Sequence, residues 1–324
     1  VHLRNFVLDM QWRPGDVPAN AIQITEGEHI HVSKLDIRNT GGSAILVQGF
    51  RRFGSGSNHA RIVDNYINGA GLADGTDGFG VMIKDRSNDA AIVGNRIVNV
   101  KGGMGIGGHD TNLGTPVGMV VIDNHIEMAR SRTAFEGIGL TSGAGRAIIA
   151  WNRTEPSFDN GLSITSSNNL VIQNYTNGAW NHGIAISGHN NTIVANEIHN
   201  IGRQNAALRE KEEYAAIALE DAANNYVAGN YIEGGDMVYA VKYNGPQRGG
   251  NHLGRNSFRG WTKRELSVNP PAGDRRDSSD PRVPLLSPGQ RAAIADSAGP
   301  DRAPGINNQV AAPPNLRPAV GIGN

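Results

Sequence analysis

The chain has 324 residues, with 30 Lys plus Arg against 30 Asp plus Glu, so its formal net charge is zero. That balance supplies no global basic field for nucleic acid or an acidic membrane surface, and the absence of cysteine excludes disulfides, thiolate chemistry and Cys-ligated zinc. No apolar run approaches the roughly 18 residues of a spanning helix, and no basic-then-apolar stretch marks a signal peptide; because the chain starts at Val1, an upstream segment is expected. Two excesses are more telling: 43 glycines and 34 asparagines. Both residues enter left-handed turns cheaply, so the chain turns often and in short segments.

Taken from the N-terminus, a pattern of apolar-apolar-x-Asn-x-apolar recurs. It reads IVDNYI around Asn65, IVGNRI around Asn95, VIDNHI around Asn124, IAWNRT around Asn152, VIQNYT around Asn174, IVANEI around Asn196, VAGNYI around Asn230 and LGRNSF around Asn256. Upstream, Leu35 and then Asn5 take the Asn slot. The repeat unit has a core of 22 residues, as between Asn152, Asn174 and Asn196, and other units carry insertions. A further apolar strand follows each Asn, as in Leu162 to Ile164 and Ile184 to Ile186, and another Asn closes the unit, as Asn169, Asn191, Asn225 and Asn251 do. Short strands separated by Asn or Gly corners predict an all-β, single-stranded right-handed parallel β-helix of about ten coils spaced ~4.8 Å apart. The recurring Asn is expected to stack as an amide ladder.

The pattern fades near Val268, giving a β-helix over 1–268 and a C-terminal segment over 269–324 that holds 10 of the 15 prolines. One short helix is expected there, with Ser287 as N-cap, Pro288 in the first turn, Gln290 completing a capping box and Gly299 as the stop. Its expected role is to cover the open edge of the last coil.

These stacked units resemble the pectate-lyase-like superfamily of right-handed β-helix proteins. The resemblance covers about four-fifths of the chain and lies in the repeat rather than in a catalytic signature. It implies a secreted or cell-surface protein directed at polysaccharide, since that superfamily is rich in lyases, glycoside hydrolases, uronan epimerases and phage tailspikes. The Asn-Thr-Asp, Asp-Asp, Gly-His-Gly set of polygalacturonases and the Asp-Pro-His-Glu signature of alginate epimerases are both missing. Gly107-Gly-His-Asp110 is only a fragment similar to the former.

Insertions flank the further strand, at 69–78, 129–134 and 203–214 before it and at 49–57 and 109–117 after it, and they predict a walled groove along that strand row. Its outward middle row is expected to read Leu46, Met82, Gly105, Gly139, Ser163, Ala185, Ala218 and Ala240, a floor of mostly small residues. The row before it reads Ser43, Phe79, Gly102, Glu136, Asn160, His182, Ala215 and Met237, and the row after it Lys84, Gly107, Thr141, Thr165, Ser187, Glu220 and Lys242.

Glycoside hydrolysis needs two carboxyl groups about 5–9 Å apart. Glu136 is therefore the leading acid, with Asp110, Asp159, His109 and His182 as the other catalytic candidates. Asp77, Lys84, Asn160, Thr165, Trp180, Tyr214 and Arg132 are the substrate-binding candidates, the aromatics by stacking on sugar rings. A solvated Glu on a rod surface and a turn loop at Asp74-Gly-Thr-Asp77 are the plainer readings of the same residues. A lyase would instead take Lys84 or His182 as base, with an Arg or a Ca²⁺ ion to neutralise a uronate; a hydrolase requires no cofactor. The expected function is a secreted polysaccharide-degrading enzyme, glycoside hydrolase ahead of polysaccharide lyase on an acidic glycan. A non-catalytic glycan-binding rod, as in a tailspike or adhesin, is the reading from a different class.

Overall fold

The computed structural model describes residues 1–49, 56–73, 78–109, 114–129, 135–141, 143–157, 159–202, 214–235, 237, 239–244 and 249–260, together with strands at 264–266 and 275–276. All regular structure among them is β. Three parallel sheets hold eleven, ten and ten strands, and each coil contributes one strand to each sheet in turn. One coil runs through β10 (Ala91–Val93) in sheet one, β11 (Arg96–Val100) in sheet two and β12 (Ile106–His109) in sheet three. Every connection between parallel neighbours is thus a full turn of a right-handed parallel β-helix.

Alternation along each strand sends one side chain inward and its neighbours outward. Ile92, Val121, Ile149, Val171, Ile193 and Val227 from sheet one enter a continuous core with Ile97, Ile126 and Ile198 from sheet two and Ile106, Ile138, Leu162 and Ile184 from sheet three. This explains the three-residue strands: one inward apolar residue per strand in sheets one and two, and two in sheet three, as with Leu162 and Ile164, suffice when each coil is roofed by the next.

The corner between sheets one and two carries the predicted ladder. Each Asn side-chain amide donates to the Oδ1 one coil on: Asn65 to Asn95, Asn95 to Asn124, Asn124 to Asn152 and Asn152 to Asn174, each at 2.9 Å. It continues from Asn174 to Asn196 at 3.0 Å, Asn196 to Asn230 at 2.9 Å and Asn230 to Asn256 at 2.8 Å. The same Oδ1 atoms accept backbone N–H groups, so a buried amide has both ends satisfied. The residue before each ladder position from Leu35 to Asn230 adopts a left-handed backbone, with φ of 53° at Lys34, 53° at Trp151 and 54° at Ala195. A bulky Trp would not select that conformation alone; the ladder bonds on either side impose it.

Register corrects one expectation here. Asp36 N–H donates to Phe6 O at 3.1 Å as Tyr66 N–H donates to Leu35 O at 2.8 Å, so Phe6 rather than Asn5 occupies the first ladder position. Asn5, with φ of 58°, is the left-handed corner residue equivalent to Lys34. A second ladder, from Asn169 to Asn191 at 2.9 Å and from Asn225 to Asn251 at 3.0 Å, closes the corner between sheets three and one.

Glycine has a specific task at the start of sheet three. A Cβ on Gly161 would lie 2.0 Å from Thr176 Oγ1, and one on Gly183 would lie 2.3 Å from Ile198 Cγ2. These positions let sheet three close against sheet two. The expected capping helix at 288–299 lies outside the described residues.

The ladder yields a test of fold stability. Asn174 donates to Ile149 O at 2.9 Å and Asn196 Oδ1 at 3.0 Å, and its Oδ1 accepts from Asn152 N–H at 3.0 Å. Asn174→Leu leaves these partners buried and unmatched, so it should cost about 1–3 kcal/mol or more. Urea melts that superimpose on wild type would show that the ladder contributes nothing.

Candidate functional site

Strand pairing in sheet three defines the outward rows. Gly107 pairs with Met82 and Gly139, Gly139 with Ser163, Ser163 with Ala185, and Ala218 with Lys242. The floor is therefore Leu46, Met82, Gly107, Gly139, Ser163, Ala185, Ala218 and Lys242, with Gly107 and Lys242 where Gly105 and Ala240 were expected. Turns between sheets two and three vary in length, so counting from the ladder Asn slips by two residues in these coils. Gly105 belongs to the inward glycine column, since its carbonyl accepts from Val81 N–H at 3.0 Å and its own N–H donates to Glu136 O at 3.1 Å.

The same slip alters the flanking rows. Met104 and Tyr239 replace Gly102 and Met237 in the row before the floor, as the bonds from Gly80 N–H to Met104 O at 3.1 Å and the pairing of Ala215 with Tyr239 require. In the row after it, His109 and Asn244 replace Gly107 and Lys242, because His109 pairs with Lys84 and Glu220 with Asn244. Glu136, Asn160 and His182 are successive in their row, linked by backbone bonds from Gly137 N–H to Asn160 O at 3.2 Å and from Gly161 N–H to His182 O at 3.0 Å.

Glu136 sits just before β15 (Ile138–Leu140), where the chain enters sheet three. Its carboxyl interacts with the Ser163 side chain on the next coil, and burial, reinforced by the charge of Asp159, pushes its pKa up to about 7. Its Oε2 is buried with no hydrogen-bond partner. Asp159 is tied to the coil of Glu136 by its N–H donating to Phe135 O at 3.2 Å, and its Oδ1 accepts from Asn181 Nδ2 at 2.9 Å. The two carboxyl groups are thus held on adjacent coils, one proton-rich and the other clamped by an amide.

His182 is different. The ring is 2 % exposed, and its Nδ1 accepts from Ala215 N–H at 3.1 Å, which leaves the proton on Nε2. Burial, followed by the charge of Lys242, pushes its pKa down to about 3. A ring held neutral with Nδ1 already engaged is a fixed N–H donor and offers no free base. Its Nε2 lies 3.8 Å from Glu220 Oε1, and Glu220 Oε2 accepts from Ser187 Oγ at 3.4 Å. Glu220 and Ser187 were legible as row members, but nothing in the sequence marked them as neighbours of His182.

Among the other candidates, His109 ends β12 with its Nδ1 3.0 Å from Thr141 Oγ1, beside Lys84, whose Nζ lies 3.8 Å from Asp85 Oδ2. Asn160 is buried with its Oδ1 accepting His182 N–H at 3.2 Å, and Thr165 donates its hydroxyl to Leu140 O at 3.1 Å. Trp180 is half-buried on the turn entering sheet three, held by its N–H to Ser157 O at 3.1 Å. Tyr214 is 2 % exposed and packs into the fold, so its ring presents no open face to a sugar. Phe135 is the exposed aromatic beside Glu136. Asp77, Asp110 and Arg132 lie outside the described residues. Among the described residues, no group of three or more His, Asp and Glu side chains gathers to hold a metal ion.

No protein-family model matches the chain, and no curated protein matches it. Solved structures share its fold. The Siphovirus 9NA tailspike receptor binding domain superposes with a TM-score of 0.59 at 14% identity, covering 89% of this chain and 53% of that one. DFA-IIIase from Arthrobacter chlorophenolicus A6, solved in complex with GF2, gives a TM-score of 0.56 at 16% identity over 80% of this chain and 67% of that one. PfbA, a surface adhesin of Streptococcus pneumoniae, gives 0.50 at 16% identity over 73% and 62%. The chain spans about half the length of the tailspike structure, 53%. Together, sheets, ladder and neighbours define an all-β right-handed parallel β-helix. At these identities the likeness is one of fold.

The state of Glu136 can be read without a substrate. With a folded pKa about 7 against an ordinary 4.5, the folded protein holds a proton there that the unfolded chain releases. Stability therefore falls as pH rises from about 4.5 to about 7, by up to ~3 kcal/mol. Glu136→Gln should match wild type near pH 4 and exceed it at pH 8, as measured by denaturant melts. Parallel pH profiles for the two proteins would place Glu136 in an ordinary solvated environment.

Proposed function

We propose that the protein is a carbohydrate-active β-helix, and specifically a glycoside hydrolase whose cleft runs along the outer face of sheet three. The observation that carries this reading is the Glu136–Asp159 pair: a buried carboxyl with an unpartnered oxygen and a pKa about 7, beside a second carboxyl on the next coil. A group with that pKa keeps a substantial protonated fraction at neutral pH and still releases its proton readily.

In the reaction, Glu136 donates its proton to the glycosidic oxygen as the C–O bond breaks. Positive charge develops at the anomeric carbon, and Asp159 either takes the proton of an incoming water that attacks that carbon, or attacks it directly to form a glycosyl ester that water then cleaves, the Glu136 carboxylate taking that water's proton. Loss of the Glu136 proton leaves a carboxylate that takes a proton back from water. Gly107, Gly139, Ser163 and Ala185 give the floor the depth for a sugar ring, and Phe135 offers an apolar face beside the acid. The coil spacing of ~4.8 Å is close to the length of one sugar unit, so a linear glycan laid along the axis meets equivalent rows at successive rings. Such a protein would work outside the cell or at its surface.

A second reading, a non-catalytic glycan-binding rod, is favoured by likeness to a tailspike receptor binding domain and a surface adhesin. A panel of neutral and uronic polysaccharides, assayed for new reducing ends and for ultraviolet absorbance of unsaturated products, separates the possibilities. Hydrolysis is expected, giving reducing ends without absorbance, and Glu136→Gln should lower turnover by roughly 10²–10⁴-fold while binding persists. Absorbing products would indicate a lyase built on Lys84 or His109. Binding without any cleavage would indicate the rod.

A further inference from the structure

The outward rows of sheet one begin with a different chemistry from the one they carry further along. In the first row His2 of β1 (His2–Arg4) pairs with His31 of β4 (His31–Ser33), and His31 with Arg61 of β7 (Arg61–Val63). The row then passes to Ala91 and Val120 and stays apolar through Ile148 and Leu170. In the other outward row Arg4 stands opposite Ser33. Val32 and Ile62, between the two rows, enter the core, so the cationic side chains of these coils stand on the outer face.

Arg61 is the centre of this group. Its side chain is half-buried, and its Nε and Nη1 are shielded from water without an acceptor. Burial pushes the pKa of Arg61 down, and no carboxylate opposes that shift. His31 is pushed down as well, by burial first and then by the charges of Arg61, His2 and Arg4. The His2 and His31 rings meet edge-on with centroids 5.3 Å apart. The acids at the neighbouring corners are engaged elsewhere. Glu28 Oε1 accepts from Asn58 Nδ2 at 2.7 Å, and Asp89 faces the charges of His59 and Arg146. Asp89 Oδ1 leans over Gly118 on the next coil, 2.3 Å from where a Cβ would stand, and Asp64 Oδ1 leans over Gly94 in the same way, at 2.5 Å.

An unpaired guanidinium that has lost part of its hydration is costly, and among the described residues no carboxylate offsets that cost for Arg61. Arginine keeps its charge at any ordinary pH, so Arg61 and Arg4 bring two positive charges to one patch. A dianion matches that charge, whereas a carboxylate balances half of it. A tetrahedral dianion also presents oxygens in several directions, towards guanidinium and imidazole donors at once.

We propose that the outer face of sheet one, over its first three coils, is a binding site for a dianionic tetrahedral oxyanion, with Arg61 as its principal donor and His31 and Arg4 beside it. Inorganic sulfate or phosphate and a phosphate monoester on a sugar share that chemistry. The site lies on a different face from the Glu136–Asp159 pair and is independent of what that pair does.

Histidine ring NMR spectra of the full chain, recorded at constant ionic strength as chloride is exchanged for sulfate, test the site directly. The His31 and His2 signals, assigned with His31→Asn and His2→Asn, should shift and saturate while those of His189 and His252 stay in place. The titration midpoint of His31 should rise as sulfate binds, because the anion favours the imidazolium. Arg61→Gln should weaken binding roughly ten-fold or more, whereas Arg96→Gln on sheet two, where Arg96 lies 3.7 Å from Glu127, should leave it unchanged. Glucose 6-phosphate and inorganic phosphate, titrated in the same way, distinguish the sources: tighter binding of the sugar phosphate assigns the site to an ester, and equal or weaker binding assigns it to the free ion. Shifts that do not saturate, or that persist unchanged in Arg61→Gln, would overturn the proposal. In a second measurement, Arg61→Met, which keeps an apolar stem, should be at least as stable to urea as wild type in chloride, and sulfate should stabilise wild type more than the variant. An equal gain in both proteins would be the general effect of sulfate on a protein surface and would refute the site. A variant destabilised in chloride would refute it too, since Arg61 would then have its partner within the protein.

Discussion

The structure depends on one constraint: each coil must match its neighbours in register closely enough for buried amides to meet. A buried Asn without partners costs more than its hydrogen bonds return, so a ladder from Asn65 to Asn256 is stable only as a continuous column. Continuity fixes the vertical alignment of all three sheets. It allows strands of three residues and forces left-handed corners on residues such as Trp151 and Ala195. Insertions are tolerated because they leave from corners the ladder does not occupy, so sequence units of 22 and of 34 residues carry the same column.

That rigid stack makes a site from residues distant in sequence. Glu136 meets Asp159 because they sit on consecutive coils, and its Ser163 partner arrives from the same neighbour. Burial and a like charge act together on Glu136 and raise its pKa, whereas burial and the Lys242 charge act on a base, His182, and lower its pKa. The same desolvation thus gives a carboxylic acid able to donate a proton and an imidazole unable to accept one. Both effects cost stability, and the ladders and core absorb that cost.

The three outer faces differ in chemistry. Sheet two is polar and ion-paired, with Arg96 near Glu127 and Arg153 stacked over Tyr175. Sheet three has the small-residue floor with acids at its margin. Sheet one turns apolar over its C-terminal half. A solenoid repeats its inward residues for packing, leaving the outward ones free to specialise coil by coil.

The sequence by itself determined the repeat, the β-helix, the ladder asparagines and the adjacency of Glu136, Asn160 and His182. Each follows from a period that must be kept for burial, and such periods are visible in one chain. Tertiary structure decided what depends on small offsets and on environment. Variable turns before sheet three moved Lys242 onto the floor and His109 into the row beyond it, and Phe6 displaced Asn5 from the ladder. The neutral state of His182, the buried Tyr214 and the unpartnered Glu136 oxygen arise from neighbours 22 or more residues away, or from desolvation. A linear pattern records which residues recur, but only the packed coils decide how much water each of them retains.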